Sequence, residues 1–351
     1  MSQKPPAAEM TAQNNFYEHK DTVYVYNFEG NGGIDNTVRL ILDKLQWEKM
    51  ISPNKPVYIK LNLSVAKREV FHYANTDKEV LRSVLEAITT KTKNIFLVES
   101  DLARGESEGG LYGGGTAEEM FKVNGIDKIA SEFGVATLSL SSQEQAFGVD
   151  PLFENFGFPK CLLDENKVFI TMPLIKTHAL TQFTGALKNQ WGCVPRWDRI
   201  LLHKNLDKLI VLCNELIKPD LVIMGGKYAM EGRGPTSGEP REFPVLIGSS
   251  KPASADAVAA TLIGLNPAEI KHISLASSEL LGYTDFRRIE VLGDLERNKT
   301  HFKPARLDWA LKCMNYLTRY KFFVYYILQN NVIFKIARFV VQVFRKIGVV
   351  R

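Results

Sequence analysis

The sequence predicts an α/β protein with a mostly parallel sheet, helices on both of its faces and a C-terminal helical extension. Three observations carry this expectation. Short apolar runs such as VFITMPLI and PDLVIMGG lack in–out alternation, as strands buried on both faces do. Segments with helical apolar spacing separate these runs, which is the order of βαβ units. Polar residues follow several runs at once, as they do where parallel strands end beside a ligand crevice.

In chain order, TVYVYNF (22–28) reads as a strand, NGG as a turn and VRLILDKLQWEKM as a helix. PVYIKLNL (56–63) is a second strand, and DKEVLRSVLEAITT (77–90) is a helix with Thr76 or Asp77 as its N-cap. NIFLVES (94–100) is a third strand, followed by the glycine-rich loop DLARGESEGGLYGGGT; a helix begins near Thr116. VATLSL (135–140) and VFITMPLI (168–175) are strands, and a helix is expected over roughly 199–217. PDLVIMGG (219–226) and FPVLIGSS (243–250) are strands, and SADAVAATLIGL (254–265) is a helix. The expected division is a disordered arm over 1–20, an α/β domain over 21–300 and a basic amphipathic helical tail over 301–351.

Four cysteines, Cys161, Cys193, Cys213 and Cys313, lie far apart and form no CxxC pair. That spacing argues against a disulfide framework and against a zinc or iron–sulfur centre ligated by this chain's cysteines. The polar opening MSQKPPAAEMTAQNN has no apolar core of a secretory signal, so a cytoplasmic protein is expected. The net charge of +5 is uneven: from Ala310 to Arg351 there are eight Lys or Arg and no acid, leaving 36 basic against 39 acidic residues elsewhere. A slightly acidic body argues against nucleic acid as a partner. In the tail, Ile333, Ile336, Val340, Val343 and Ile347 recur at helical spacing, with Lys335, Arg338, Arg345 and Lys346 largely off that stripe. Such a helix suits an anionic membrane surface or packs on its own domain or a partner subunit. It is too short and too charged to span a membrane.

The stretch KTHALTQFTGALKNQWGCVPRWDRILLH, from Lys176 to His203, concentrates the candidate chemistry. His178 reads as a general acid or base, a metal ligand, or a loop cap. Lys188, in the turn TGALKN, reads as an anion binder, as a nucleophile if desolvated, or as an ordinary solvated lysine. His203 faces the same cleft or bulk water, and a divalent metal on it is the cofactor left open. Lys60 and Asn62 at the end of the second strand, with Lys176, Thr184, Gly185 and Asn189, are the candidate substrate-binding residues. Cys193 is a reactive or a buried inert thiol. Glycines 113–115 precede a helix as phosphate-binding turns do, without matching GxGxxG or GxxxxGK[ST]. Asp256 is expected to cap or line its own helix, and His19, His72, His272 and His301 to lie on the surface.

The segments KLNL, NTDKEVLRSVLEAI, IFLVES, TMPLIKTHALTQFTGALKNQWGCVP, AMEGRGPTSGEP and SADAVAATLIGL together resemble domain of unknown function family 362, over about residues 56–293. Many relatives carry added ferredoxin-like cysteine clusters, which this chain lacks. More distantly, His178, the turn at Gly185, Lys188 and His203 resemble the order found in nickel-pincer lactate racemases. In those enzymes the matching residues act as proton-transfer base, covalent attachment point for the nickel cofactor and nickel ligand; the resemblance implies that His178, Lys188 and His203 share a pocket here and does not carry the cofactor with it. The usual THRP-like segment of those enzymes is replaced here by ESDLARG. The expected function is an enzyme acting on a small anionic or carboxylate-bearing substrate in a His/Lys/His cleft. The alternative is a non-catalytic ligand-binding or scaffold protein held to a membrane or partner by its tail. Oligomeric state is not legible.

Overall fold

Two apolar cores lie on opposite faces of one sheet, and the side-chain alternation of its strands feeds both. Val222 and Met224 point into one core while Leu221 and Ile223 point into the other. The computed structural model describes residues 20–63, 73–102, 115–232, 234, 238–305 and 309–328. Among them the strands are β1 (Asp21–Asn27), β2 (Val57–Leu61), β3 (Ile95–Glu99), β4 (Ala136–Ser139), β5 (Gln145–Ala146), β6 (Phe158–Pro159), β7 (Val168–Met172), β8 (Lys176–His178), β9 (Gln182–Thr184), β10 (Leu221–Glu231), β11 (Glu239–Ser249) and β12 (Ile289–Gly293). Ten of them share a sheet whose main path runs β12-β1-β11-β10-β7-β2-β3-β4; β5 and β6 form a separate pair.

The run β10-β7-β2-β3-β4 is parallel throughout, and β12 is parallel to β1. The sheet is therefore α/β and mostly parallel, as the wholly buried β2 and β7 predict. Its antiparallel portion departs from a simple βαβ reading. β11 pairs antiparallel with both β10 and β1. The short link between Glu231 and Glu239 allows a hairpin and leaves no room for a crossover helix. Edge strand β12 lies outside the strands read from sequence; its pattern is half exposed and too short to stand out.

Helices α1 (Ile34–Lys44), α2 (Lys78–Ile88), α3 (Ala117–Val123) and α4 (Ile126–Phe133) cover the core of Leu221 and Ile223. Asp77, rather than Thr76, caps α2: its Oδ1 accepts from Glu79 N at 2.9 Å. Thr76 instead ties β2 to β7, accepting from Asn62 N and donating to Met172 O, each at 2.7 Å. Thr116 closes a reciprocal capping box with Glu119 at the start of α3. The other core carries α5 (Ala186–Asn189), α6 (Leu206–Ile217), α7 (Pro252–Leu262) and α8 (Lys271–Ala276).

Two local expectations are corrected. The segment expected to be helical over roughly 199–217 begins as a 3₁₀ helix, Trp197–Asn205, and becomes α only at α6. Residues 198–202 are buried in succession, so no polar stripe exists to set a 3.6-residue period. The KTH motif is strand β8 rather than loop: it joins β10 through Lys176 opposite Met230 and forms a tight hairpin with β9. Toward the C-terminus, α9 (Trp309–Leu317) is followed by a π-type turn over Phe323–Leu328, and among the described residues no helix is long and apolar enough to cross a membrane. The arm 1–19 with His19, His72, the glycines 113–114 and the amphipathic stripe from Ile333 to Ile347 lie outside the described residues.

Gly225 marks the shift in register between β10 and β11, with φ +110, and a Cβ there would meet the Val245 carbonyl oxygen. A side chain there meets both a disfavoured backbone conformation and a backbone atom. Gly225→Ala is expected to destabilise the protein by about 2–3 kcal/mol, read from the midpoint of urea unfolding.

Candidate functional site

The carboxyl ends of β2, β3, β7 and β8 lie side by side, and their polar residues meet there. Lys60 and Glu99 form an ion pair at 2.8 Å with side chains 1% and 2% exposed. A charge pair this deep survives only if its remaining hydrogen-bonding capacity is filled. It is: Lys60 Nζ also donates to Leu61 O at 2.6 Å, while Glu99 accepts from Leu63 N at 3.1 Å and Ser100 N at 3.0 Å. Gly192 seals this pair, since a Cβ there would lie 2.7 Å from Lys60 Nζ. Lys60, read from sequence as substrate-binding, is thus placed in an internal ion pair beneath the site.

A chain of buried amides leads away from it. Asn62 Nδ2 donates to Asn189 Oδ1 at 3.1 Å, and Asn189 Nδ2 donates to Thr171 Oγ1 at 2.9 Å and to Lys60 O at 3.2 Å. Thr171 donates to Gln190 Oε1, whose Nε2 donates to Asn214 Oδ1, each at 2.9 Å. Asn214 Nδ2 ends the chain on the carbonyls of Leu187 and Ile210, both at 2.8 Å. Each donor direction determines the next, so the network orients Asn189 in α5 against the end of β2. Beside this network two buried atoms, Asn62 Oδ1 and Thr184 Oγ1, have no partner among the described residues. Both belong to the residues read as substrate-binding.

The turn bearing Lys188 is held from the opposite side. Asp256 lies fully buried in the middle of α7, and its carboxylate accepts from Ala186 N at 2.6 Å and Leu187 N at 3.0 Å. It therefore caps α5 rather than its own helix, which corrects the sequence expectation. Gly185 is needed because the Asp256 carboxylate packs where its Cβ would be. Burial pushes the Asp256 carboxyl up to about 7, against the pull of the two backbone donors.

His178 is buried at the end of β8. Its Nδ1 accepts from Leu180 N at 3.1 Å and Thr181 N at 3.3 Å. A backbone N–H can only donate, so Nδ1 carries the lone pair and the proton of the neutral ring sits on Nε2. Burial, then the charges of Lys188 and Lys176, hold this imidazole well below its ordinary pKa. His178 accordingly presents a neutral N–H donor. Lys176 is buried, donates to Ala74 O at 2.7 Å, and is lowered well below its usual value by burial and then by Lys188.

Lys188 and His203 are the partly exposed members of the cluster. Burial, then Arg199 and Lys60, bring the Lys188 ammonium down to about 8. Burial, then Lys188 and Arg199, bring His203 down to about 3, with its ring 6.1 Å from that of Trp191. Protonation of His203 would lower His178 further, and His178 also feels Lys188, so the three groups lie within electrostatic reach of one another. Arg199 joins them unannounced. Its buried guanidinium donates through Nη1 to Ser100 Oγ and Val194 O, both at 2.6 Å, and no carboxylate ion-pairs with it among the described residues. Nothing in WDRILLH distinguishes Arg199 from a surface arginine.

His272 is another correction. It is fully buried in α8 rather than on the surface, with neither ring nitrogen hydrogen-bonded and Nδ1 at 3.8 Å from Asp207 Oδ1. Burial lowers it, and its charge too bears on His178. Burial pushes the Cys193 thiol up to about 12 and raises Cys213 well above its ordinary value, which disfavours the reactive thiolate at both. Glu231, another polar strand end, is engaged by Arg241 at 3.0 Å and Lys303 N at 3.1 Å. No three His, Cys, Asp or Glu side chains converge as a metal cage among the described residues. A nickel cofactor attached at Lys188 would find a neutral imidazole at His203.

Removing Glu99 leaves Lys60 buried without its counter-charge, so Glu99→Ala is expected to cost about 3–5 kcal/mol in urea unfolding. The double variant K60M/E99M should cost clearly less. The histidines predict an acid sensitivity. His178, His203 and His272 all have folded pKa values below the ordinary 6.5, so their contribution is present above 6.5 and is lost as pH falls toward about 3 for His203. Thermal melts should show stability declining below pH 6.5, with a shallower decline in His203→Gln.

The family described as "Domain of unknown function (DUF362)" matches residues 57–261. The thylakoid-associated protein sll1697 of Synechocystis sp. is 26% identical over 259 residues, covering 72% of this chain and 76% of its own. Among solved structures, lactate racemase apoprotein from Thermoanaerobacterium thermosaccharolyticum is similar at TM-score 0.38 and 12% identity, over 72% of this chain. The present chain spans 57% of that racemase. A protein from Thermotoga maritima is similar at TM-score 0.31 and 15% identity, over 60% of this chain and 55% of its own.

Proposed function

The chain belongs to the DUF362 family, which by description carries no assigned function, and from that premise we propose an enzyme moving a proton at a carbon next to a small substrate's carboxylate. The observation that carries this reading is the surplus of buried cations. Lys188 and Arg199 stand close together, no carboxylate ion-pairs with either among the described residues, and the nearby Glu99 is already paired with Lys60. Uncompensated buried charge is costly, and a bound carboxylate supplies what is missing. In this reading Arg199 holds the carboxylate. The His178 Nε2–H donates to the oxygen on which negative charge develops, as a preorganised neutral donor does. Lys188, lowered to about 8, takes and returns the proton near neutral pH. Asn62 and Thr184 offer their unfilled oxygens to hydroxyl or amino groups of the substrate. His203 at about 3 is a neutral ligand or donor and too weak for a base.

A second reading concerns location. The thylakoid association of the Synechocystis relative, together with a tail of eight basic and no acidic residues, supports a protein peripheral to an anionic membrane surface.

The test is exchange of solvent deuterium at the α-carbon of 2-hydroxy and 2-amino acids, followed by proton NMR. Exchange is expected with at least one class, rising as pH passes through about 8 when the Lys188 amine loses its proton. Lys188→Met should abolish it, and Arg199→Lys should raise KM more than it lowers kcat, since an ammonium cannot replace a fork of donors. No exchange with any class, in protein that binds these acids, would mean a ligand-binding protein instead.

A further inference from the structure

Ten large apolar side chains stand exposed among the described residues, and five of them fall within one short stretch: Tyr316, Leu317, Tyr320, Phe322 and Tyr326. Their rings adjoin in pairs. Tyr316 and Tyr320 meet edge-on at 5.7 Å, Phe322 and Tyr326 lie 5.3 Å apart, and the Arg319 guanidinium stands over Tyr316 at 5.6 Å. The other side of the stretch is seated on the body. Thr318 and Val324 are buried, and Tyr325 packs edge-on against Trp197 at 5.7 Å. The Tyr325 hydroxyl donates to Asp198, a fully buried carboxylate that also takes Arg196 Nε at 2.9 Å and Nη2 at 2.8 Å. The segment is thus fastened along one side and aromatic along the other.

We propose that the exposed face of residues 316–326 is the surface that docks the protein on an anionic lipid bilayer, with the aromatic rings at headgroup depth and Arg319 and Lys321 on the lipid phosphates. This rests on the peripheral reading above and names the face that performs it. Charge decides the occupant. From Ala310 onward every ionisable Lys or Arg is unopposed by an acid, which matches a negative bilayer. Tyrosine, with an apolar ring and a polar tip, suits the boundary where one end is dry and the other wet. The seating has a consequence. Tyr325 clasps Trp197 and Asp198, which immediately precede Arg199 and His203, so docking holds the candidate site at a set height above the lipid instead of on a loose tether.

Full-length protein is sedimented with phosphatidylcholine vesicles, with and without phosphatidylglycerol, at low and high salt. Wild type should bind the phosphatidylglycerol vesicles, more weakly at high salt. R319Q/K321Q should lose part of the salt-sensitive binding. Y320S/F322S/Y326S should lower binding about tenfold at high salt, since ring burial supplies the part salt does not screen. Its melting temperature should not change, because all three side chains are exposed. Wild-type binding matched by both variants overturns this face and leaves the peripheral reading standing. Wild type that binds no vesicle overturns both. A wild-type dimer that the aromatic variant dissolves assigns the face to a second copy of the chain and overturns the proposal. Should the triple variant melt early, hydrogen exchange of wild type decides: slower exchange across 316–326 on vesicles supports the face, and unchanged exchange overturns it.

Discussion

The buried ion pair of Lys60 and Glu99 is the constraint on which the site depends. Two opposite charges at the ends of adjacent parallel strands must be enclosed together, and every further donor and acceptor around them must be matched. The backbone at Leu61, Leu63 and Ser100 is arranged to do this, and Gly192 comes close because it carries no side chain. The amide chain from Asn62 to Asn214 continues the same requirement across β7 and into α6. What results is a floor of mutually satisfied hydrogen bonds beneath the strand ends.

On that floor the helix α5 is held between two polar anchors. Asn189 grips the strand ends below it, and Asp256 caps its start from α7. Lys188 lies between these anchors, so its position is set by residues distant in sequence. The depressed pKa of Lys188 follows from the same placement: burial and the nearby Arg199 and Lys60 disfavour its charge. His178 is held by a different device, the two backbone donors on Nδ1, which leave it neutral with its proton on Nε2.

The C-terminal segment binds to this arrangement from outside. Tyr325 reaches Asp198, and Arg196 completes a three-residue cluster at the start of the 3₁₀ segment that carries Arg199 and His203. The boundary between body and tail is therefore a packed contact, with Val324 buried and Tyr325 against Trp197.

By itself the sequence determined the α/β class, the main parallel strands and the stretch Lys176–His203, because burial on two faces forces unbroken apolar runs and strand ends display polar residues. The helix starts near Asp77 and Thr116 were legible because capping is local, settled within four residues; the choice between Thr76 and Asp77 as cap was left open and fell to Asp77. Only the tertiary structure decided the antiparallel insertion of β11, since partner choice between strands leaves no mark on either strand's own pattern. It likewise decided that Asp256 caps a helix about seventy residues before it, that His272 is buried, and that Arg199 enters the charge cluster. A charged residue's role depends on what faces it in space, and neither Arg199 nor His272 stands in a periodicity or motif that points to its partners.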